Sequence, residues 1–245
     1  MLNSIPELVE QKVKIFKNRN LIFEDKNKIN YSELYFLSKR VSDKLLQFNL
    51  KKGDKVCVCM SKSIDQILII LGCLGANLVF VPILPFLKKD SINYIIKNSE
   101  AKIIITDKKR NFEIETKHSK KLVYFENRTF TKTKRLDQKV VNKNKKISIK
   151  KNDIAAIIYS SGSTGMPKGI VIPHINFVKG AHIVSNYLRT KSSDKILGVL
   201  SFNFDYGLNQ LWQCLLLGCS LFLHNFTFPI DFFNFVKTKK FLFYL

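Results

Sequence analysis

Helical and strand patterns alternate along most of this sequence, and that alternation is the feature that most restricts its fold. Apolar residues recur at helical spacing from Leu34 to Phe48 and again from Ile64 to Leu74. Each helical pattern is followed by a short apolar run, KVCVCM after the first and LVFVPI after the second. Chains built in this way form parallel strands joined by helices. The sequence therefore predicts an α/β fold with a mostly parallel sheet and flanking helices.

Local signals mark the boundaries of these elements. Asn30 and Glu33 have the spacing of a capping box, KKGD at 51–54 is predicted to be a turn, and Asp90 is predicted to cap a helix that runs through Ile96. We interpret the polar segment 108–151 as a long excursion around one strand, KLVYF, that could include an edge hairpin. Beyond it the sequence predicts strands at DIAAIIYS, GIVIP, KILGVL and SLFLH, and helices that begin near Ile175, Tyr206 and Ile230.

The basic character of the chain does not predict a nucleic-acid partner. The formal net charge is +22, but the lysines are spread along the whole sequence among abundant isoleucine, asparagine and phenylalanine. The most basic region, 108–151, also contains acidic residues and has no ladder of aromatic residues. With 46% apolar and 24% charged residues, the composition is that of a folded globular protein.

Two uncharged stretches, Gln66–Leu87 and Tyr206–Ile230, are long enough to cross a bilayer. Glycine, proline and amide residues interrupt both, so we expect each to be a buried helix, turn and strand, and not a membrane span. The N-terminus lacks the apolar core of a signal peptide. The five cysteines have no metal-ligand spacing, and Cys57 and Cys59 should share one face of a strand. We expect buried free thiols in a reducing compartment and a cytoplasmic location.

The segment SSGSTGMPKG, residues 160–169, has the composition of a phosphate-binding turn. Glycines allow close approach of the backbone to a ligand, successive N–H groups form a concave anion site, and hydroxyl groups and a lysine add donors and a charge. The candidate residues are Ser161, Gly162, Ser163, Thr164, Gly165 and Lys168. The alternative is a surface hairpin between two strands. It is not a Walker A loop, because Met166 and Pro167 separate Gly165 from Lys168.

The run IIYSSGSTGMPKG closely resembles the signature of the AMP-forming adenylating enzymes, which include acyl-CoA synthetases, nonribosomal peptide synthetase adenylation domains and luciferases. Further resemblance lies in INYSEL at 29–34, in the block from KKGD to VFVPI, and in GIVIPHINF, which contains His174. The resemblance implies that residues 1–245 form an incomplete N-terminal large domain of the adenylate-forming fold.

What the resemblance implies is activation of a carboxylic acid by ATP with Mg²⁺. The acid would be an amino acid or another acyl acid. The carboxylate would attack the α-phosphate, and the acyl-adenylate would then pass to a thiol of CoA or of a carrier protein. The turn from Ser161 to Lys168 would hold the β- and γ-phosphates. The resemblance assigns no catalytic residue and no metal ligand to this chain.

Asp205 has two interpretations. In amino-acid-activating members of the family, a Phe-Asp pair supplies the aspartate that binds the substrate ammonium, and Phe204 and Asp205 match that pair. However, the serine that usually follows two residues later is Gly207 here. Alternatively, Asp205 caps the next helix and the substrate is another carboxylic acid. We interpret His174 as a packing or capping residue, and no serine or cysteine has the partners of a hydrolase triad.

Members of the family are considerably longer than this sequence. The segments that contact adenine and ribose, the hinge, and the small C-terminal domain with its catalytic lysine would all follow residue 245. We therefore expect a chain that is incomplete for the full reaction. The alternative is a catalytically inactive remnant that serves at most as a weak polyphosphate-binding module.

Overall fold

The computed structural model describes residues 2–107, 122–131, 147–160 and 166–224. The chain divides into two compact units, one made of residues 1–35 and 176–245 and the other of residues 36–175. In chain order the elements are α1 (Ile5–Phe16), β1 (Asn20–Glu24), β2 (Asn27–Asn30), α2 (Tyr31–Gln47), β3 (Lys55–Cys59), α3 (Ile64–Gly75), β4 (Val79–Pro82), α4 (Lys89–Asn98), β5 (Ile103–Thr106), β6 (Leu122–Glu126), β7 (Thr129–Thr131), β8 (Ile154–Ser160), β9 (Lys168–Pro173), α5 (His174–Tyr187), β10 (Lys195–Gly198), α6 (Asp205–Leu217) and β11 (Ser220–Leu223).

The unit of residues 36–175 contains a seven-stranded sheet in the order β7-β6-β5-β3-β4-β8-β9. Strands β6, β5, β3, β4 and β8 are parallel to one another, and the edge strands β7 and β9 pair antiparallel with β6 and β8. Strand β6 and its hairpin partner β7 are the predicted edge hairpin of the polar segment. The prediction of a mostly parallel sheet with helices is confirmed.

Two of the cysteines belong to the apolar core of this unit. Cys57 and Cys59 share one face of β3, as predicted, and pack in an apolar cluster with the buried isoleucines of α4, Ile92, Ile95 and Ile96. All five cysteines of the chain are buried free thiols. Burial raises the pKa of Cys57 to about 12, because a thiolate there would lose its hydration. Cys57 therefore fills space in the core and remains protonated.

The unit of residues 1–35 and 176–245 contains a second, four-stranded sheet in the order β10-β11-β1-β2. Strands β10, β11 and β1 are parallel, and β2 folds back antiparallel on β1. Tyr31 is fully buried, and its hydroxyl group donates a hydrogen bond to the carbonyl of Cys214 at 2.8 Å. Gly218 then ends α6 in the left-handed conformation, with a φ of 82°.

Two details of the sequence prediction required correction. The strands form two sheets and not one, because β10 and β11 pair with β1, an N-terminal strand that no sequence pattern predicted. Asp90 does not cap α4. That helix begins at Lys89 with Lys88 at the N-cap position, two residues before the predicted cap. Asp90 therefore lies in the first turn, where the helix dipole favours its negative charge.

Other local predictions are confirmed. Asn30 and Glu33 form a reciprocal capping box, in which the Glu33 N–H donates to Asn30 Oδ1 at 2.9 Å and the Asn30 N–H donates to Glu33 Oε2 at 3.0 Å. The uncharged stretch Gln66–Leu87 is helix α3 followed by strand β4. Among the residues that the structure describes, no helix is both long and apolar enough to cross a membrane. The predicted helix near Ile230 lies outside those residues.

Candidate phosphate-binding site

The candidate site is built on the antiparallel pair of strands β8 and β9. Their ladder continues to its last residues, with Tyr159 opposite Gly169 and Ser160 opposite Lys168. Ser160 and Lys168 are both exposed. Ser161, Gly162, Ser163, Thr164 and Gly165 join the two strands, and these five residues lie outside the described part of the structure. Lys168 is therefore the predicted phosphate-binding residue whose position the structure defines.

The end of this ladder lies at the carboxyl ends of the parallel strands, where α/β proteins bind ligands. Strand β8 is parallel to β4, with Ala156 opposite Phe80, so its carboxyl end points to the same edge as the carboxyl ends of β3, β4 and β5. Ligands of open parallel sheets bind in crevices outside those ends. Ser160 is the last residue of β8, and Lys168 follows across the turn. The prediction that this turn stands at a strand end agrees with the positions of Ser160 and Lys168.

Asp153 fixes the opposite end of the ladder. One of its carboxylate oxygens accepts hydrogen bonds from Lys52 Nζ at 2.8 Å, from Asn77 Nδ2 at 2.9 Å and from the Lys150 N–H at 2.8 Å. Its backbone carbonyl accepts the His174 N–H at 3.0 Å. The residue before β8 and the residue after β9 are therefore tied to each other and to the neighbouring loops.

The electrostatics of Asp153 follow from these contacts. Burial alone would raise the pKa of its carboxyl group, but the hydrogen bonds from Lys52, Asn77 and Lys150, together with the Lys52 charge, outweigh that effect. The pKa is lowered to about 2, so the carboxylate stays ionised at every pH at which the protein would work. Asp153 is a structural residue that the sequence analysis did not single out.

His174 lies beside Asp153 and is completely buried. Neither of its ring nitrogens has a hydrogen-bond partner within the described part of the chain. Burial lowers the pKa of the imidazole to about 4, although the nearby Asp153 charge opposes that shift and the Lys52 charge adds to it. The ring is thus neutral near pH 7, which agrees with the interpretation of His174 as a packing residue.

Asp205 belongs to the other compact unit and is the first residue of α6. The N-cap position is Phe204, and no side chain makes a capping hydrogen bond there, so Asp205 does not have the capping role considered from the sequence. The residue is exposed, and partial shielding by protein raises the pKa of its carboxyl group. Within the described residues, no hydrogen bond or ion pair reaches this carboxylate.

The structure explains the glycine that follows two residues later. A Cβ atom at Gly207 would lie 2.2 Å from the carbonyl oxygen of Ser201, so a serine at this position would collide with the backbone. The loop before α6 is also ordered by side chains, since Asn203 Nδ2 donates to Ser201 Oγ at 2.7 Å. The departure from the family pattern at 207 therefore reflects a loop that packs closely against the start of α6.

The comparison with known proteins decides the family. A family model described as AMP-binding enzyme matches residues 9–242 of this chain. The chain belongs to the AMP-binding enzyme family. Within the residues described, no three His, Cys, Asp or Glu side chains form a group that could hold a metal ion.

Relatives and solved structures agree with this membership. Tyrocidine synthase 1 of Brevibacillus parabrevis is 28% identical over 225 residues, which are 90% of this chain and 20% of that protein. The N-terminal subdomain of Klebsiella oxytoca NpsA, solved in complex with 3-hydroxybenzoyl-AMSN, matches with a TM-score of 0.79 at 21% identity, over 97% of this chain and 58% of that one. The Mycobacterium tuberculosis fatty acyl CoA synthetase matches with a TM-score of 0.80 at 18% identity and covers 96% of this chain.

These matches confirm the fold expected from the sequence resemblance. This chain spans 58% of the NpsA subdomain and 47% of the fatty acyl CoA synthetase. Structural likeness at these identities shows the fold, and the roles of individual site residues remain predictions. The sequence predicts the turn, Lys168 and Asp205 as site residues, and these assignments stay predictions. No local pattern marked Asp153, which ties the start of β8 to the end of β9.

We predict that His174 makes the stability of the chain sensitive to mild acid. Because its pKa in the folded state, about 4, lies below its ordinary value of 6.5, the unfolded chain binds more protons between those pH values. Stability should therefore be unaffected above about pH 6.5 and should fall as the pH decreases towards 4, by an amount on the order of 1–3 kcal/mol. Urea unfolding measured at pH 7 and at pH 5 checks this.

The matched variants for that experiment are His174→Leu and His182→Gln. His174→Leu should remove most of the loss between pH 7 and pH 5, because an apolar side chain leaves no nitrogen to protonate. His182 is a half-buried residue of α5, and its replacement should leave the change in unfolding free energy between pH 7 and pH 5 at the wild-type value. If wild type and His174→Leu lose the same unfolding free energy between pH 7 and pH 5, another group causes the loss.

Proposed function

We propose that this chain supplies the phosphate-binding part of an enzyme that activates a carboxylic acid with ATP. The observation that carries the proposal is the placement of Lys168 and Ser160 at the carboxyl edge of a parallel sheet, in a chain of the AMP-binding enzyme family. An exposed ammonium at that edge is available to a polyphosphate. The hydroxyl-rich and glycine-rich sequence between the two residues supports the same ligand.

In this proposal Lys168 neutralises oxygens of the β- and γ-phosphates. A lysine ammonium is a compact, mobile charge with three donors, which suits phosphate groups of varying geometry. The backbone N–H groups and hydroxyls of Ser161, Gly162, Ser163, Thr164 and Gly165 are proposed to complete the cradle, on the basis of their sequence alone. Mg²⁺ would arrive with ATP, since this ion is usually held by substrate phosphates together with few protein ligands.

The chemistry that follows needs no proton transfer in its first step. A carboxylate oxygen of the acid attacks the α-phosphorus, a new carboxylate–phosphorus bond forms, and the bond to the bridging oxygen of the β-phosphate breaks. Pyrophosphate leaves, and the acyl-adenylate remains. The proposed contribution of this chain is electrostatic, because charge on the departing pyrophosphate grows next to Lys168. Transfer of the acyl group to a thiol of CoA or of a carrier protein would complete the reaction.

Adenine and ribose need binding residues of their own. We propose that residues 1–245 form part of an adenylating domain. The residues that bind adenine and ribose are proposed to lie in further polypeptide. The coverage of 58% and 47% of the neighbouring structures supports this division. Without fixed adenine and ribose the α-phosphorus is not held in line with the carboxylate. Orientation of that kind can be worth about 7–11 kcal/mol, so this chain alone should bind polyphosphate without practical turnover.

For the substrate, we propose an amino acid whose ammonium binds Asp205. Two observations favour this over the structural role: Phe204, not Asp205, occupies the N-cap position of α6, and the carboxylate makes no ion pair in the part of the chain described. A carboxylic acid that lacks an amino group is the alternative.

Replacing Lys168 should distinguish the outer phosphates from the inner one. We predict that Lys168→Ala weakens binding of pyrophosphate and of ATP by about 1.5–3 kcal/mol, the usual value of a hydrogen bond to a charged group, and leaves AMP nearly unchanged. Calorimetric titration with each ligand in the presence of Mg²⁺ is the measurement. Lys168→Arg should retain most of the affinity. Lys195→Ala, which removes an exposed charge at the start of β10, is the control for general electrostatic attraction.

An equal loss of ATP and AMP affinity in Lys168→Ala would show that Lys168 does not act on the β- and γ-phosphates specifically. The same loss in Lys195→Ala would show that the net charge attracts the ligand without a specific site.

Asp205 can be tested in a complete relative that carries this same segment. We predict that Asp205→Ala raises the barrier for amino acids by about 1.5–3 kcal/mol and spares the matching acids that lack the amino group. The measurement is acid-dependent exchange of labelled pyrophosphate into ATP. Asp205→Asn, which keeps the shape and removes the charge, should resemble the alanine variant. Similar losses for both classes of acid would assign Asp205 a structural role.

A further inference from the structure

Tyr159 lies across the last part of the β8–β9 ladder, next to the pair of Ser160 and Lys168. Its direct partner in the ladder is Gly169, and the ring covers that glycine. A Cβ atom at 169 would lie 3.1 Å from Tyr159 Cζ and 2.8 Å from Ile157 Cγ2. Such distances are too short for an ordinary contact, so the ring takes this position because residue 169 has no side chain.

The hydroxyl group of Tyr159 reaches a different element of the same unit. It donates a hydrogen bond of 2.6 Å to Oδ1 of Asn98, the last residue of α4. Two hydrogen bonds fix the end of α4. The Ser99 N–H donates to the carbonyl of Ile95 at 2.9 Å, and the Ser99 hydroxyl donates to the carbonyl of Ile96 at 3.3 Å. The Tyr159 ring also packs against the apolar cluster that contains Cys57 and Ile96.

The hydroxyl group of Tyr159 stays protonated and can therefore always donate a hydrogen bond. Burial raises the pKa of Tyr159 to about 12, and the neighbouring groups Cys57 and Tyr94 add to that shift. The hydroxyl therefore keeps its proton throughout the physiological range and donates to Asn98 at every pH in it.

We propose that Tyr159 is a positioning residue for the phosphate-binding lysine: through its contact with Gly169 and its hydrogen bond to Asn98, it holds the end of the β8–β9 pair, and with it Lys168, against α4. The inference rests on the proposed function. Asp153 fixes the far end of the ladder, and Tyr159 fixes the near end. The two contacts limit how far the pair can twist or shift at the point where it meets the ligand.

Removal of the Tyr159 hydroxyl should have different effects if the residue only fills space and if it positions Lys168. If Tyr159 only filled space, removal of its hydroxyl would leave the ladder and the lysine where they are. If it positions Lys168, the terminal pair should open more often and a ligand of the lysine should bind less tightly. Displacements of about 1 Å are enough to lower the efficiency of a charge that must meet a defined oxygen.

The test uses the whole chain, four single variants and the double variant Tyr159→Phe/Asn98→Ala. Tyr159→Phe removes the donor and keeps the ring, Asn98→Ala removes the acceptor, and Asn98→Asp keeps an acceptor oxygen. Tyr94→Phe is the matched control, since it removes a tyrosine hydroxyl from α4 that packs against the same apolar cluster. Two quantities are measured for each: amide hydrogen exchange at Ser160, Lys168 and Gly169, and the Kd of pyrophosphate with Mg²⁺.

We expect Tyr159→Phe and Asn98→Ala each to accelerate exchange and to raise the Kd roughly two- to fivefold, as loss of one partly exposed hydrogen bond implies. The double variant should be no worse than either single one, because both remove the same interaction. Asn98→Asp should lie close to wild type, and Tyr94→Phe should match wild type in both measurements.

The outcomes separate this inference from the proposed function. If Lys168→Ala weakens pyrophosphate binding while Tyr159→Phe changes neither exchange nor Kd, the positioning role is overturned and the phosphate site stands. If wild type binds no pyrophosphate but exchange accelerates in Tyr159→Phe and Asn98→Ala alone, Tyr159 positions the strand pair and the proposed ligand is wrong. Equal acceleration in Tyr94→Phe would assign the effect to general loosening of the core and overturn the inference.

Discussion

A lysine at the edge of a sheet can meet a phosphate group only where its strand places it, and the strand that carries Lys168 is held chiefly by its antiparallel ladder with β8. Strand β9 is the last strand of its sheet in the described structure, and Ile170 and Val171 in its middle are more than half exposed. Packing against a core therefore contributes little to holding it. The backbone ladder with β8, fixed at one end by Asp153 and at the other by Tyr159, has to supply the rigidity.

The two ends use different physical means. Asp153 is a satisfied polar group, in which one carboxylate collects three donors and a nearby ammonium balances the charge. His174 beside it is the opposite case, a buried imidazole whose nitrogens meet no partner in the described chain. Such a group costs free energy even when neutral and costs more when protonated. At the other end, Gly169 leaves room for the ring of Tyr159 against the ladder, and the tyrosine hydroxyl reaches Asn98 at the end of α4.

Much of the fold could be predicted from the sequence because the signals are local. The reciprocal bonds of Asn30 and Glu33 and the buried run before Ser160 both depend on residues a few positions apart. The pairing of β1 with β11 could not be predicted, since their register joins Ile22 to Leu221 and no local pattern specifies so distant a partner. The same limit applied to the site. Lys168 was visible from the motif, whereas Asn98 and Lys52 act through contacts with residues about sixty and one hundred positions away along the chain.

Phosphorus NMR of Mg·ATP during titration with the chain tests the central claim most directly, because it reports each phosphate separately. If Lys168 and the adjoining turn bind the outer phosphates, the β- and γ-phosphorus resonances should shift or broaden well before the α-resonance, and pyrophosphate should reverse the effect by competition. Uniform changes at all three phosphorus atoms, or no change at protein concentrations comparable to that of ATP, would contradict the assignment of this strand pair as a polyphosphate site.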